Sequence, residues 1–124
     1  MVIRQYYNIN MLIKIIRDKI SKSELVEIAR NQFGDLVKAV VDIEKEIIAI
    51  GGELHADEEA LLLEQDSRQE NLWGINIYPN QTGDDWIEFD SMINIRPSQG
   101  NRSRGVVDLG IQKKIKDIVN KLVS

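Results

Sequence analysis

Three arginines in a glycine-containing loop are the residues of this chain best suited to bind an anion. The segment INIRPSQGNRSRG spans residues 93–105 and holds no acidic side chain. Guanidinium groups bind phosphate or carboxylate through paired hydrogen bonds, and glycine lets a backbone approach a ligand closely. The predicted anion-binding residues are Asn94, Arg96, Ser98, Asn101, Arg102 and Arg104. The alternative is a loop whose arginines pair with acids of the same chain.

A single histidine lies in an acidic stretch, GGELHADEE. Glu53 and His55 have the residue types of a general-base pair, and a divalent metal with nitrogen and oxygen ligands is a second possibility. Consecutive acids at a turn are more often solvated, and a lone histidine is more often structural. Both interpretations of His55 stay open at this point.

Two further carboxylates, Glu88 and Asp90, are spaced to share one face of a strand. Such a pair suits Mg²⁺, which retains water and prefers oxygen ligands. No second element with a ligand is evident, so we predict neither a metal site nor a cofactor. Catalytic residues are therefore not assigned, and His55, Glu53, Glu88 and Asp90 stand as candidates.

Composition places the chain among globular domains. It has 124 residues, 43% hydrophobic and 29% charged, with no cysteine. No apolar run is long enough to cross a bilayer, and no secretion signal is recognisable, so we predict a cytoplasmic protein without membrane contact. The net charge of -4 opposes nonspecific binding to nucleic acid, although a local cationic patch can still bind one anionic group.

Hydrophobic periodicity predicts two helices around a set of strands. Ser21 and Glu24 have capping-box spacing, Gly34 suits the end of that first helix, and Asp108 suits the start of a second. Alternating or continuous apolar runs predict one short strand within residues 12–18 and five more at residues 37–43, 47–55, 60–65, 72–79 and 86–97. The short connections favour antiparallel neighbours.

The predicted fold class is therefore α+β, a mostly antiparallel sheet of five to six strands with an N-terminal and a C-terminal helix packed on one face. We expect residues 1–13 to be a loosely ordered extension and residues 14–124 to form one domain. Alternation then gives the other face a concentration of polar groups: Glu53, His55, Asn76, Tyr78, Glu88, Asp90, Asn94 and Arg96. An ordinary solvated face would look the same. A homodimer through Trp86, Tyr78 and Met92 is the other alternative.

Several long segments resemble a family of short, uncharacterised prokaryotic proteins, a domain of unknown function. The resemblance rests on GGELHADEEALLLE, LWGINIYP and INIRPSQGNRSRG, and it covers about residues 15–124. It implies that the first residues are an extension. It implies no activity, cofactor or catalytic residue.

Three functions are consistent with these residues, and whether the protein is an enzyme stays open. The first is binding of a small anionic ligand or RNA end by the arginine loop beside the polar face. The second is a phosphoester hydrolase or nuclease that uses His55 or Glu53 as base with Arg96 and Arg102. The third is a protein-interaction module.

Overall fold

The part of the chain that the structure describes folds around a five-stranded antiparallel sheet, which confirms the predicted α+β class. The computed structural model describes residues 12–124. Its strands are β1 (Lys14–Ile16), β2 (Val37–Asp42), β3 (Ile47–Ile50), β4 (Leu72–Ile77) and β5 (Ile87–Glu88). They are ordered β1-β3-β2-β4-β5, so β2 lies at the centre. The predicted extension at residues 1–13 falls almost wholly outside the described residues.

Two helices pack on one face of this sheet, as the apolar stripes predict. Helix α1 (Lys22–Asn31) begins where the Ser21 hydroxyl accepts the Glu24 N–H at 3.1 Å. The helix from Leu109 to Leu122 begins where Asp108 accepts the Ile111 N–H at 3.1 Å. Both predicted caps are confirmed. The main core between these helices and the sheet includes Leu25, Ala29, Ile75, Ile115 and Val119.

A third helix, α2 (His55–Glu64), stands where we predicted a strand at residues 60–65 and a strand end at His55. That prediction is wrong. Gly51, at φ 90°, ends the extended path of β3, and a Cβ on Gly52 would lie 2.8 Å from the Glu58 side chain. The buried residues of α2 are His55, Glu58 and Leu62, which is helical spacing. With α2 counted, the helix from Leu109 to Leu122 is α3.

Helix α2 covers part of the second sheet face, so that face is not the open polar surface that strand alternation predicts. Leu62 packs in a second apolar cluster with Ile13, Val40, Ala49 and Leu72. Of the polar residues predicted for this face, four are buried, namely His55, Asn76, Asn94 and Arg96. Within residues 12–124, no helix is long and apolar enough to cross a membrane.

The prediction of a long strand at residues 86–97 is also wrong, because in that range only Ile87–Glu88 pairs with β4. The chain then leaves the sheet edge and forms two 3-10 turns, Met92–Asn94 and Pro97–Gln99. The reason lies in β4, where a Cβ on Gly74 would be 2.6 Å from that of Ser91. Glycine in a strand interior permits this close approach of another segment. Residues 91–107, here called the crossing segment, therefore pass over β4.

Candidate functional site

Asn94 fixes the crossing segment to β4. Its side chain is fully buried. The Gly74 N–H donates to Asn94 Oδ1 at 2.8 Å, and Asn94 Nδ2 donates to the Gly74 carbonyl at 2.9 Å. The same Nδ2 also donates to the Arg104 carbonyl at 2.9 Å. Gly74 pairs with Val40 of β2, but β5 does not reach it on the other side, and there one side chain satisfies both of its backbone groups.

Asn101 closes the crossing segment on itself. Its Nδ2 lies 2.7 Å from the Asn94 carbonyl and 2.8 Å from that of Gly105, and its Oδ1 accepts the Val107 N–H at 2.8 Å. An isolated bridge pairs Asn101 with Arg96. The sequence motif between them is therefore the tip of a tight loop.

Arg96 is buried although it carries a charge. Its terminal nitrogens donate to the backbone carbonyls of Gln69 and Leu72, and its guanidinium lies 4.2 Å from the ring centroid of Trp73. Burial lowers the pKa of Arg96 from its ordinary value, while Glu59 acts in the opposite direction. This arginine anchors the loop to the start of β4.

The other three predicted anion-binding residues, Ser98, Arg102 and Arg104, are exposed. Arg104 Nε donates to Asp90 Oδ1 at 2.5 Å in an ion pair whose side chains are about half exposed. The Arg104 carbonyl accepts N–H groups from Ser91 and Asn94, which fixes the backbone from which this guanidinium projects. Arg104 is thus the predicted residue that the fold brings toward His55.

A cleft of about 200 Å³ lies between the start of α2 and the crossing segment. Its lining consists of Lys38, Leu54, His55, Ala56, Ser91, Met92, Ile93 and Arg104. Leu54, the residue before α2, provides no side-chain cap. The first N–H groups of a helix have no intrahelical partner and carry partial positive charge. Two cationic side chains therefore border a cleft at an uncapped helix N-terminus.

His55 is a buried side chain of this cleft, being 7% exposed. Its Nε2 lies 2.7 Å from the Ile75 carbonyl, and a carbonyl only accepts, so Nε2 carries the proton. Burial lowers the pKa of His55 from its ordinary value of 6.5; Lys38 and Arg104 lower it further, and the Ile75 carbonyl and Asp90 oppose them. The ring is consequently neutral near pH 7, with an unprotonated Nδ1.

A row of polar side chains continues from the cleft across the sheet. Lys38 pairs with Asn76, and Asn76 pairs with Glu88. Asn76 Nδ2 and the Tyr78 hydroxyl both donate to Glu88 Oε1, at 2.9 and 3.1 Å. Desolvation and this bond to Glu88 raise the pKa of Tyr78. Asn76 Oδ1 is buried, with no hydrogen-bond partner in the part of the chain that the structure describes.

The remaining candidates are dispersed. Glu53 is exposed and lines a different groove beside Gln32 and Phe33. Glu88 and Asp90 accept hydrogen bonds from Asn76 and Arg104, and across residues 12–124 no three acidic or histidine side chains are grouped to hold a metal ion.

The three residues proposed for a homodimer surface differ in their exposure. Trp86 is buried, with the Lys22 ammonium 4.9 Å from its ring centroid, and Tyr78 is half-buried. Met92, 64% exposed, is the apolar residue of the three that remains on the surface. The homodimer stays a prediction.

Lys38 and Ser91 are cleft residues that sequence reasoning did not single out. Lys38 interrupts the apolar run VKAVVD, and that interruption was the available signal. Gly74, in the middle of LWGINI, likewise marked the place where another segment approaches β4. Ser91 had no such signal, because its position depends on the chain leaving the sheet.

The fold and the cleft define a small α+β domain whose antiparallel sheet carries helices on both faces. The chain belongs to the family described as a protein of unknown function (DUF5674), whose model matches residues 14–122. The resemblance noted from the sequence is thereby confirmed. Comparison with curated proteins and with solved structures gives no match.

Proposed function

We propose that this domain binds a compact anion, a phosphate or carboxylate group, in the cleft beside His55. The observation that carries the proposal is the uncapped N-terminus of α2, which opens onto a cleft bordered by Lys38 and Arg104. Helix N-termini with nearby cations are favourable sites for anions. This site is separate from the tip of the loop, where Arg102 lies.

The positive charges of Arg104 and Lys38 support placing the anion in this cleft. Arg104 uses Nε for Asp90, so its two terminal nitrogens remain available as a pair of donors. Lys38, on β2, adds the positive charge of its ammonium group. In a chain of net charge -4, this local concentration of positive groups would attract a small anion and not an extended polyanion. A terminal phosphate of a nucleotide or RNA end fits this size; a long nucleic acid does not.

An amide chemical-shift titration at low salt with pyrophosphate tests the proposal. We expect saturable shifts centred on residues 54–57, with weaker affinity in Lys38→Gln and Arg104→Gln. Lys114→Gln is the matched control, because this exposed lysine lines a different surface with Ile43 and Asp117.

Arg102→Gln separates the cleft from the loop tip. If this change weakens binding more than Arg104→Gln does, the site lies at the tip and the cleft assignment is wrong. If millimolar pyrophosphate shifts no amide, the domain does not bind compact anions. The second result would leave the arginines as structural and surface groups.

Phosphoester hydrolysis is the second candidate, favoured by the unprotonated Nδ1 of His55 at the same cleft. Such a base accepts a proton from attacking water while the cations stabilise developing charge. This hypothesis assigns the base to His55 and the stabilising cations to Lys38 and Arg104. Release of p-nitrophenol from p-nitrophenyl phosphate, abolished by His55→Gln, would establish it. Release unaffected by that change would come from a contaminant.

A further inference from the structure

His55 lines the cleft with a ring whose orientation is fixed by a buried hydrogen bond. Its Nε2 is held 2.7 Å from the Ile75 carbonyl, so the ring cannot turn without breaking a buried hydrogen bond. No hydrogen bond among residues 12–124 involves Nδ1, and Nδ1 is not one of the fully buried atoms that lack a partner, so it reaches the surface at the cleft that His55 lines. A neutral imidazole with one protonated nitrogen accepts a hydrogen bond at the other.

Two positive groups line the same cleft as this acceptor. They are Lys38 and Arg104, and among residues 12–124 neither donates a hydrogen bond to Nδ1. A ligand made only of acceptors can bind the cations but leaves this acceptor without a donor. The cleft therefore favours a ligand that also has a hydrogen-bond donor close to its anionic group.

The charge of the cleft selects the kind of donor. An ammonium group, as in an amino acid, would be placed beside Lys38 and Arg104 and repelled by both. A hydroxyl donates without charge. The rim formed by Leu54, Met92 and Ile93 is apolar and suits a short carbon chain.

We propose that the ligand is a hydroxylated organic anion, whose hydroxyl donates to His55 Nδ1 while its anionic group binds at Lys38, Arg104 and the start of α2. This inference rests on the proposed anion binding and specifies its ligand class. The anionic group is a carboxylate, as in a short 2-hydroxy acid, or a phosphate beside an alcohol.

Two matched ligand pairs test the inference at pH 8, where a phosphate monoester has lost its own proton. The pairs are lactate with propionate, and 2-hydroxyethyl phosphate with ethyl phosphate. We expect the hydroxylated member of at least one pair to bind about three- to tenfold more tightly, the usual range for one net hydrogen bond. The pair that shows the preference identifies the anionic group.

The resonance of ¹⁵N in His55 Nδ1 gives a second readout on the unaltered protein. It should move upfield with the hydroxylated ligand and stay in place with its partner. His55→Gln keeps an amide donor for the Ile75 carbonyl, removes the Nδ1 lone pair, and should abolish the preference while the unhydroxylated anion still binds.

The outcomes are distinguishable. Equal affinities within both pairs, with no movement of the Nδ1 resonance, would overturn the hydroxyl inference and leave anion binding intact. A preference that persists in a folded His55→Gln variant would also overturn it. Absence of binding by all four ligands would overturn the anion proposal itself.

Discussion

Arg96 and Arg102 belong to one short loop but have different surroundings. Arg96 is buried against Trp73 and donates to two carbonyls, whereas Arg102 is exposed. We expect Arg96→Ala to lower the free energy of unfolding by about 2–4 kcal/mol, since charged hydrogen bonds and a cation–π contact are lost. The matched change Arg102→Ala should cost within about 0.5 kcal/mol. Urea unfolding of both variants measures this, and equal losses would contradict the anchoring role of Arg96.

Glu58 is a carboxyl with no exposed surface. Its Oε2 accepts the Gly52 N–H at 2.9 Å, and Oε1 has no partner within the described chain. Burial raises its pKa well above the ordinary value of 4.5; the Gly52 N–H and Lys38 oppose this and Asp57 adds to it. Because the native state holds this proton more tightly than the unfolded chain, Glu58 contributes stability that is fully present below pH 4.5. That contribution is lost as pH rises through the native pKa.

Glu58→Gln should remove this pH dependence. We expect the variant and the parent to have the same free energy of unfolding near pH 4. At pH 8 the variant should be more stable by about 1 kcal/mol or more, because the buried Glu58 carboxyl of the parent must then either ionise or keep its proton at a cost in free energy. Urea unfolding across that pH range tests it. Glu64→Gln, an exposed position on the same helix, controls for loss of charge. A parallel pH profile in Glu58→Gln and the parent would refute the assignment.

At the scale of elements, the crossing segment depends on the absence of a side chain at Gly74. A Cβ there would lie 2.6 Å from Ser91, so one of the two elements would have to move. We expect Gly74→Ala to cost about 1–3 kcal/mol, as overpacking does. Ser91→Gly in the same chain should restore part of the loss. Urea unfolding of the two single variants and the double variant gives the coupling energy, which we expect at about 1 kcal/mol. Strict additivity would show that the two elements do not press on each other.

The same elements show what the sequence could predict. Helices α1 and α3 were predictable because their caps, Ser21 and Asp108, and their apolar stripes are local signals. Helix α2 was not, because the run Leu61–Leu63 is as apolar as a buried strand and its helical spacing is carried by His55 and Glu58, which are polar. The start of the crossing segment has the alternation of a strand, and its contacts with Gly74 and Leu72 depend on residues distant in the sequence.

The candidate site was predictable to a smaller extent. His55 and Arg104 were identified by residue type, and both line the cleft. Asn94 and Asn101 have the composition of ligand-binding residues but bind backbone carbonyls, a role that depends on contacts between distant parts of the chain. A buried polar residue and a ligand-binding residue have the same signature in a sequence, so packing alone separates them.

Across the described molecule, the sheet separates two apolar clusters, and its three inner strands, β2, β3 and β4, contribute residues to both. Val41 faces the main core and Val40 faces the cluster under α2. Strand β2 also has a paired neighbour on each side, β3 and β4, whereas β5 is a two-residue strand at the sheet edge. Opening β2 therefore requires loss of most of the buried structure, while opening β5 requires little.

Native-state hydrogen exchange should reveal this hierarchy. We expect amides in β2 to exchange through global unfolding, with protection free energies equal to the unfolding free energy from urea. Amides of Ile87 and Glu88 should exchange through a local opening at least about 2 kcal/mol lower. Gly74→Ala should lower the protection of the Ser91 and Asn94 amides more than that of Val40. Equal protection in β5 and β2 would mean that the edge strand, the crossing segment and the central sheet open as one unit. In that case the cleft beside His55 could not change shape without unfolding of the domain.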